Sequence, residues 1–310
     1  MHATDHLSSN PSAEALEQTL PHDISPARQF CLSFSANRGA LVASIFFVFI
    51  VLCALLAGVL APHNPIEQFR DHMLMPPVWE DGGNAAFLFG TDELGRDILS
   101  RLIYGARISL LIGLTSVLLS LVPGMTLGLL AAFFPKRLGV LIMRVMDVML
   151  ALPSLLLAIC VITVLGPGLI NTTIAIAIGT LPSYTRLTRA SALAEIEKEY
   201  VTASRVAGAS IWRLMFNTVL PNCLAPLIVN ATLGFSSSIL EAAALGFLGL
   251  GVQAPTPEWG AMLSAARDYI QRAPWVVTIP GLTVLLTVLS INLMGDGLRD
   301  ALDPKLKRGA

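Results

Sequence analysis

Charge is scarce in this 310-residue chain: Asp, Glu, Lys and Arg together make up 13% of it, against roughly a quarter in soluble domains. With 54% hydrophobic residues and a mean hydropathy of +0.70, it falls in the membrane class. The formal net charge is -1, and no basic cluster is interleaved with aromatics, so no nucleic-acid partner is expected. Cysteine is scarce as well. Cys31, Cys53, Cys160 and Cys223 lie far apart without a CxxC pair, three of them in or beside apolar runs, and read as small buried hydrophobes. HExxH, GxSxG and paired-carboxylate arrangements are missing, and all five histidines (His2, His6, His22, His63, His72) precede the second apolar run. The expectation is a chain with no catalytic residue, no metal site and no cofactor of its own.

What is present is a series of six apolar runs, over residues 41–61, 108–134, 140–165, 172–185, 224–250 and 275–294. They predict an all-α polytopic membrane protein with six transmembrane helices, since about 20 apolar residues cross the ~30 Å hydrocarbon core. The first 37 residues are polar and rich in Pro and Ser, so run 41–61 is read as a retained first span and not as a cleaved signal. The fourth run is short and ends in Pro182, Ser183 and Tyr184, which suggests a helix facing protein or water. Arg144 and Asp147 stand one turn apart at the start of the third and are expected at the interface or paired with each other.

Orientation follows from the basic residues. Arg28, Arg38, Lys136, Arg137, Arg186, Arg189, Lys198, Arg205, Arg213, Arg299, Lys305, Lys307 and Arg308 fall on one side, and Arg70, Arg96, Arg101, Arg107, Arg267 and Arg272 on the other. Thirteen against six puts both termini in the cytoplasm by the positive-inside rule. The division is then a cytoplasmic tail over 1–40, a first span and periplasmic loop over 41–107, a membrane core over 108–296 containing a cytoplasmic loop at 186–221, and a tail over 297–310. The acidic periplasmic loop suits contact with a soluble partner and equally suits plain solvation. No internal repeat marks inverted halves, so the pathway is expected to form with a second membrane subunit.

Gly90-Thr91-Asp92-Glu93-Leu94-Gly95-Arg96-Asp97 spaces its glycines like a phosphate loop, but Arg96-Asp97 stands where the Lys-Ser/Thr pair would hold phosphate and magnesium. Nucleotide binding is not expected there. The cytoplasmic loop is more informative. It predicts one helix over 192–206 ended by a left-handed cap at Gly208, then a second from Ser210 to just before Pro221. Tyr200, Ala203 and Ala207 share one face of the first. A small-residue face suits docking into another protein's groove, with a helix lying on the bilayer as the other reading.

Thr202-Ala203-Ser204, Gly208 and Thr218-Val219-Leu220-Pro221 resemble the EAA motif of bacterial ABC importer permeases. Thr202 and Ser204 replace its Glu and second Ala, and Thr218 its Ile, so Ala203, Gly208, Leu220, Pro221 and their spacing carry the match. The resemblance extends through Gly90–Asp97, Tyr104-Gly105-Ala106-Arg107, Met149-Leu150-Ala151-Leu152-Pro153-Ser154, Ala244–Gly249, Pro255-Thr256-Pro257-Glu258-Trp259-Gly260 and Asn292–Pro304. Together these look like the C-type permease of the peptide/nickel importer group. Glu67–Asp71 and Tyr200–Gly208 are most similar to the dipeptide permease.

That resemblance implies a type I ABC importer permease fold in the inner membrane. It implies a second homologous permease, two cytoplasmic ATPases that carry the ATP and magnesium, and a periplasmic peptide-binding protein that delivers cargo. Tyr200, Thr202, Ala203, Ser204, Arg205, Ala207 and Gly208, with Leu220 and Pro221, would form the ATPase-coupling site, and this subunit would not hydrolyse ATP. Glu241 in the fifth span and Asp147 in the third are candidates for the pathway or an interface. Pro123, Pro153 and Pro226 would kink their spans. The rival readings are the same importer carrying nickel, glutathione or another peptide, and an ion-gradient-driven transporter with Asp147 or Glu241 as proton site.

Overall fold

The computed structural model describes residues 26–302. Readings that fall on His2, His6, His22, Lys305, Lys307, Arg308 or the Pro304 end of the last motif lie outside the described residues. A short amphipathic helix, α1 (Pro26–Ala36), leads into α2 (Arg38–Leu55), which Asn37 caps by accepting the Ala40 N–H. After a loop come α3 (Ile98–Phe133), α4 (Arg137–Leu150), α5 (Ser154–Leu165) and α6 (Leu169–Ile196). Then α7 (Glu199–Val206), α8 (Leu220–Phe247), α9 (Trp259–Ala266) and α10 (Trp275–Leu302) complete the chain. Among the described residues the sole β feature is an isolated bridge between Thr91 and Asp97.

Four helical stretches are long and apolar enough to cross a membrane: Arg38–Leu55, Ile98–Phe133, Ile211–Phe247 and Trp275–Leu302. The pair α4 and α5, bent by 92° at its break, brings the number to five if it is one span. The break falls at Pro153, whose ring and missing N–H stop a helix from running through. Helix α6 has 28 residues, ample length, but Arg186, Arg189 and Glu195 dilute its apolar character. The short run seen in the sequence at 172–185 is the apolar middle of this longer helix.

Small residues decide which helices touch. Gly124 and Gly128 lie one turn apart on α3, and a Cβ there would stand 2.6 Å from the Tyr184 Cβ and 2.5 Å from the Thr188 Cβ of α6. Bare backbone at both positions lets α3 and α6 approach as small-xxx-small pairs do in membranes. Helix α2 packs on α10, and α8 lies between α10 and α3. Outward faces remain apolar, with Val42, Ile45 and Phe49 of α2 and Leu282, Leu285 and Leu289 of α10 exposed where lipid would lie.

Two sequence motifs turn out to fasten the end of the bundle opposite α7. Arg107 donates to the Ala54 carbonyl through Nε and to the Leu55 carbonyl through Nη2 at 2.8 Å, satisfying the open C-terminus of α2. Glu258, 1% exposed, caps α9 by accepting the Gly260 and Ala261 N–H groups at 2.8 Å, and the Ser109 hydroxyl donates to it at 3.0 Å. Trp259 is fully buried beside it, with Nε1 donating to the Leu102 carbonyl at 3.1 Å. The phosphate-loop lookalike is a folded knot in the 62–97 loop. Arg96 bonds Asp92 at 2.6 Å and Glu93 at 2.9 Å, and Gly95 turns at φ +75°, where a Cβ would strike the Phe69 carbonyl at 2.1 Å. Burial, then the Asp92 charge, holds the Glu93 carboxyl above the usual carboxylate range against the pull of Arg96 and Arg101.

Candidate functional site

The loop at 186–221 is built around a corner at Glu195. Its carboxylate accepts the Lys198 ammonium at 2.6 Å and the Tyr200 hydroxyl at 2.5 Å, folding the chain back where α6 stops. The single helix expected over 192–206 is therefore two: residues up to Ile196 belong to α6, Lys198 is extended, and α7 starts at Glu199. Partial desolvation and, after it, the hydrogen bond to Glu195 push the Tyr200 hydroxyl up to about 12.

Helix α7 ends as predicted. Gly208 has φ +84°, its N–H donates to the Arg205 carbonyl at 3.0 Å, and the Ala209 N–H donates to the Ser204 carbonyl at 3.1 Å. These two bonds constitute a Schellman motif, which occupies carbonyls the helix end leaves open. Ser210 then caps the next turn, accepting the Arg213 N–H at 3.4 Å.

Pro221 does not end the second helix. The turn Ile211–Arg213 passes into a π-helical stretch, Leu214–Val219, and on into α8 without interruption. The wide turn reconciles helix with proline. The Leu220 N–H reaches back five residues to the Met215 carbonyl, so Pro221 falls in the first turn of α8, where a missing N–H costs little.

One side chain anchors α7. Val201 is fully buried, in a cluster with Leu129, Ala192, Leu214, Met215, Val219 and Cys223. Turned outward are Tyr200, Thr202, Ala203, Arg205, Ala207 and Gly208, with Ser204 half-buried. Leu220 is half-buried at the base of the loop and Pro221 is exposed. Sequence reasoning missed Val201, Val206, which is 83% exposed, and Trp212, which is 60% exposed and stacks on Phe216 with ring centroids 6.2 Å apart. Apolar residues that interrupt a polar helical face, here Val206 and Trp212, were the available signal.

The pathway candidates separate. Asp147 pairs with Arg186 of α6 at 2.5 Å, both about half exposed, and not with Arg144. Helix α4 packs against α6, which brings a cation on another helix closer than the neighbour one turn away. Glu241 lies deeper. It lines a cleft of about 430 Å³ formed at the bend between α4 and α5 with α6 and α8. The Ser154 hydroxyl donates to its Oε1 at 2.7 Å, and Oε2 is buried with no hydrogen-bond partner. Among the described residues no group of three or more His, Cys, Asp or Glu could hold a metal ion.

Comparison with known proteins places this geometry. Residues 124–308 match the model of the binding-protein-dependent transport system inner membrane component, and residues 25–77 that of the N-terminal transmembrane domain of oligopeptide transport permease C. The chain is 68% identical to the di/tripeptide transport system permease DppC of Pseudomonas aeruginosa, covering 92% of this chain and 94% of that one. Identity is 56% to the dipeptide transport system permease DppC of Haemophilus influenzae, over 91% and 96% of the two chains. It is 42% to the glutathione transport system permease GsiD of Pectobacterium atrosepticum, over 91% and 92%. An inward-facing structure of the MetNI methionine ABC transporter superposes with a TM-score of 0.54 over 66% of this chain and 96% of that one, at 20% identity, a likeness of fold. Two family models, over residues 25–77 and 124–308, and relatives named as importer permeases support this reading over an ion-gradient-driven transporter: the chain belongs to the binding-protein-dependent inner-membrane permeases of ABC importers, as a C-type subunit of the peptide-permease branch.

Proposed function

We propose that this permease carries dipeptides or short oligopeptides from periplasm to cytoplasm by alternating access, with α7 as the helix through which ATP hydrolysis acts on the membrane core. The observation that carries the mechanism is the construction of α7. It is pinned to the bundle by the buried Val201, stopped by the left-handed Gly208, and bare on its Tyr200, Ala203 and Ala207 face. A helix so held transmits a push as a rigid lever, and a face of alanines lets a partner's backbone come close. The partners are a second homologous permease, two cytoplasmic ATPases bearing ATP and magnesium, and a periplasmic peptide-binding protein. Both termini lie in the cytoplasm.

Asp147, at the exposed rim with Arg186, is assigned to the interface with the second permease, and Glu241 to the pathway. Dipeptide cargo is favoured over glutathione by the gradation of identity, 68% and 56% to permeases named for di- or tripeptides and 42% to one named for glutathione. The test is growth of an auxotroph whose required amino acid is supplied only as a dipeptide, in a strain without other peptide importers. Deleting this chain should abolish growth and a plasmid copy should restore it. Undiminished growth would move the cargo to another member of the class.

A further inference from the structure

The cleft at the bend of α4 and α5 has one charged lining residue, Glu241, among hydroxyls and amides that include Ser154, Thr180, Ser183 and Asn230. Among the described residues no arginine or lysine lines it. A carboxylate on an apolar helix is costly when nothing compensates it. Ser154 occupies only Oε1, and Oε2 is buried and free. Helix-to-helix bonding accounts for half of this group and leaves the other half without a partner, on a residue that lines the cleft.

A second unsatisfied group belongs to another residue that lines the same cleft. Tyr184 is 1% exposed, and its hydroxyl has no hydrogen-bond partner. It is seated where α8 has Gly234, at which a Cβ would stand 2.1 Å from the hydroxyl oxygen, so glycine is what admits it. Gly234 and Glu241 are seven residues apart on one helix, close to two turns, or about 10.5 Å along the axis. An extended dipeptide spans about 7 Å, which fits within that separation. The two ends differ in chemistry as a zwitterion's ends do: an acceptor with negative charge at Glu241, a neutral donor at Tyr184.

We propose that this cleft is a transit station for the cargo's free ammonium group, with the Glu241 Oε2 as its acceptor and the Tyr184 hydroxyl donating to the far end of the peptide. The station deepens the dipeptide reading and rests on it. One carboxylate and one hydroxyl hold cargo weakly, as a pathway requires, since a passing substrate must leave as readily as it enters.

The experiment uses the whole transporter in proteoliposomes: this chain, its partner permease, the ATPases and the binding protein loaded with alanyl-alanine. In the unsubstituted protein, a water-soluble carbodiimide added during turnover should join the dipeptide's amine to Glu241, as an amide with loss of water, seen by mass spectrometry on the peptide that contains residue 241. Glu241→Gln keeps the size and the Ser154 bond and removes the charge, so dipeptide taken up per ATP hydrolysed should fall about tenfold or more, while Glu241→Asp should retain a substantial part of it. A purely structural carboxylate would leave that ratio unchanged in every assembled variant. Because the adduct is read on the unsubstituted chain, it does not depend on whether a variant folds. Normal dipeptide uptake without an adduct, or with an unchanged ratio in Glu241→Gln, overturns the station alone; no dipeptide uptake by the unsubstituted transporter overturns the cargo reading and the station with it.

Discussion

Gly208 turns with φ +84°, and a Cβ built on it meets nothing within 4 Å. Space is therefore not what demands glycine; the left-handed backbone is. A β-branched residue there costs on the order of 1–2 kcal/mol, whereas Asn tolerates the conformation more readily. That is too little to unfold the bundle, since neither Schellman bond nor the buried Val201 is lost outright. It is enough to shift a helix whose contact face is alanine. Gly208→Val should accumulate in the membrane at normal levels yet lose uptake and binding-protein-stimulated ATP hydrolysis, with Gly208→Asn intermediate. Wild-type uptake by the valine variant would remove Gly208 from the coupling mechanism. Position 208 was legible beforehand because glycine after a helical run marks a left-handed cap. Val201 was not, since a lone valine in a polar stretch looks the same whether its side chain points at lipid, water or a cluster supplied by three other helices.

Along whole elements, hydropathy located the apolar middles and misjudged the ends. Helix α3 starts at Ile98, ten residues before the apolar run, because Arg101 and Arg107 are spent on internal partners and not on water: Arg101 bonds the Pro65 carbonyl at 3.1 Å, and Arg107 closes α2. Helix α6 extends past its apolar window for a related reason, with Arg186 answered by Asp147 and Glu195 by Lys198 and Tyr200. Periodicity does not reveal such tertiary partners, and the π-helical register before Pro221 was equally invisible. The close approach at Gly124 and Gly128 makes a prediction at this scale. A leucine at Gly128 would drive into Thr188, at 2.5 Å from the first added atom, and into the Thr185 carbonyl at 2.7 Å. Overpacking of this kind costs typically 1–3 kcal/mol or more, and backbone cannot step aside as a side chain does. Gly128→Leu should lower the thermal midpoint of the detergent-purified protein by several degrees or prevent its accumulation. Gly281→Ala, whose nearest neighbour is Leu263 at 3.9 Å, should leave both unchanged. Equal effects would mean that the α3–α6 contact is not what orders the bundle.

In the molecule as a whole, the two ends of the bundle are built from different materials. At one end lie the start of α2 and the end of α10, joined by Asn37 to Asp300 at 3.4 Å, with Leu302 and Arg299 bordering a cavity shared with Leu187 and Ala225 at the base of the 186–221 loop. The described ends of the chain and α7 therefore share a face. At the other end, the 62–97 loop is tied to the start of α10 by Trp275 donating to the Thr91 carbonyl at 3.5 Å, and to α3 by Ser100 donating to Asp97 at 2.5 Å. This arrangement and the excess of lysine and arginine at the first end are independent observations, one geometric and one electrostatic, and they agree on which groups lie together. The positive-inside rule then gives the expectation that the first end is the cytoplasmic one, because basic residues resist transfer across the membrane. Alkaline phosphatase, which folds to an active enzyme only in the periplasm, should be active when fused after Glu80 and inactive when fused after Lys198. Activity at Lys198 and silence at Glu80 would invert the molecule, placing α7 beyond the reach of any cytoplasmic ATPase and ending its assignment as the coupling helix. Activity at both would separate the two faces from the ends of the bundle, and so break the geometric half of the argument.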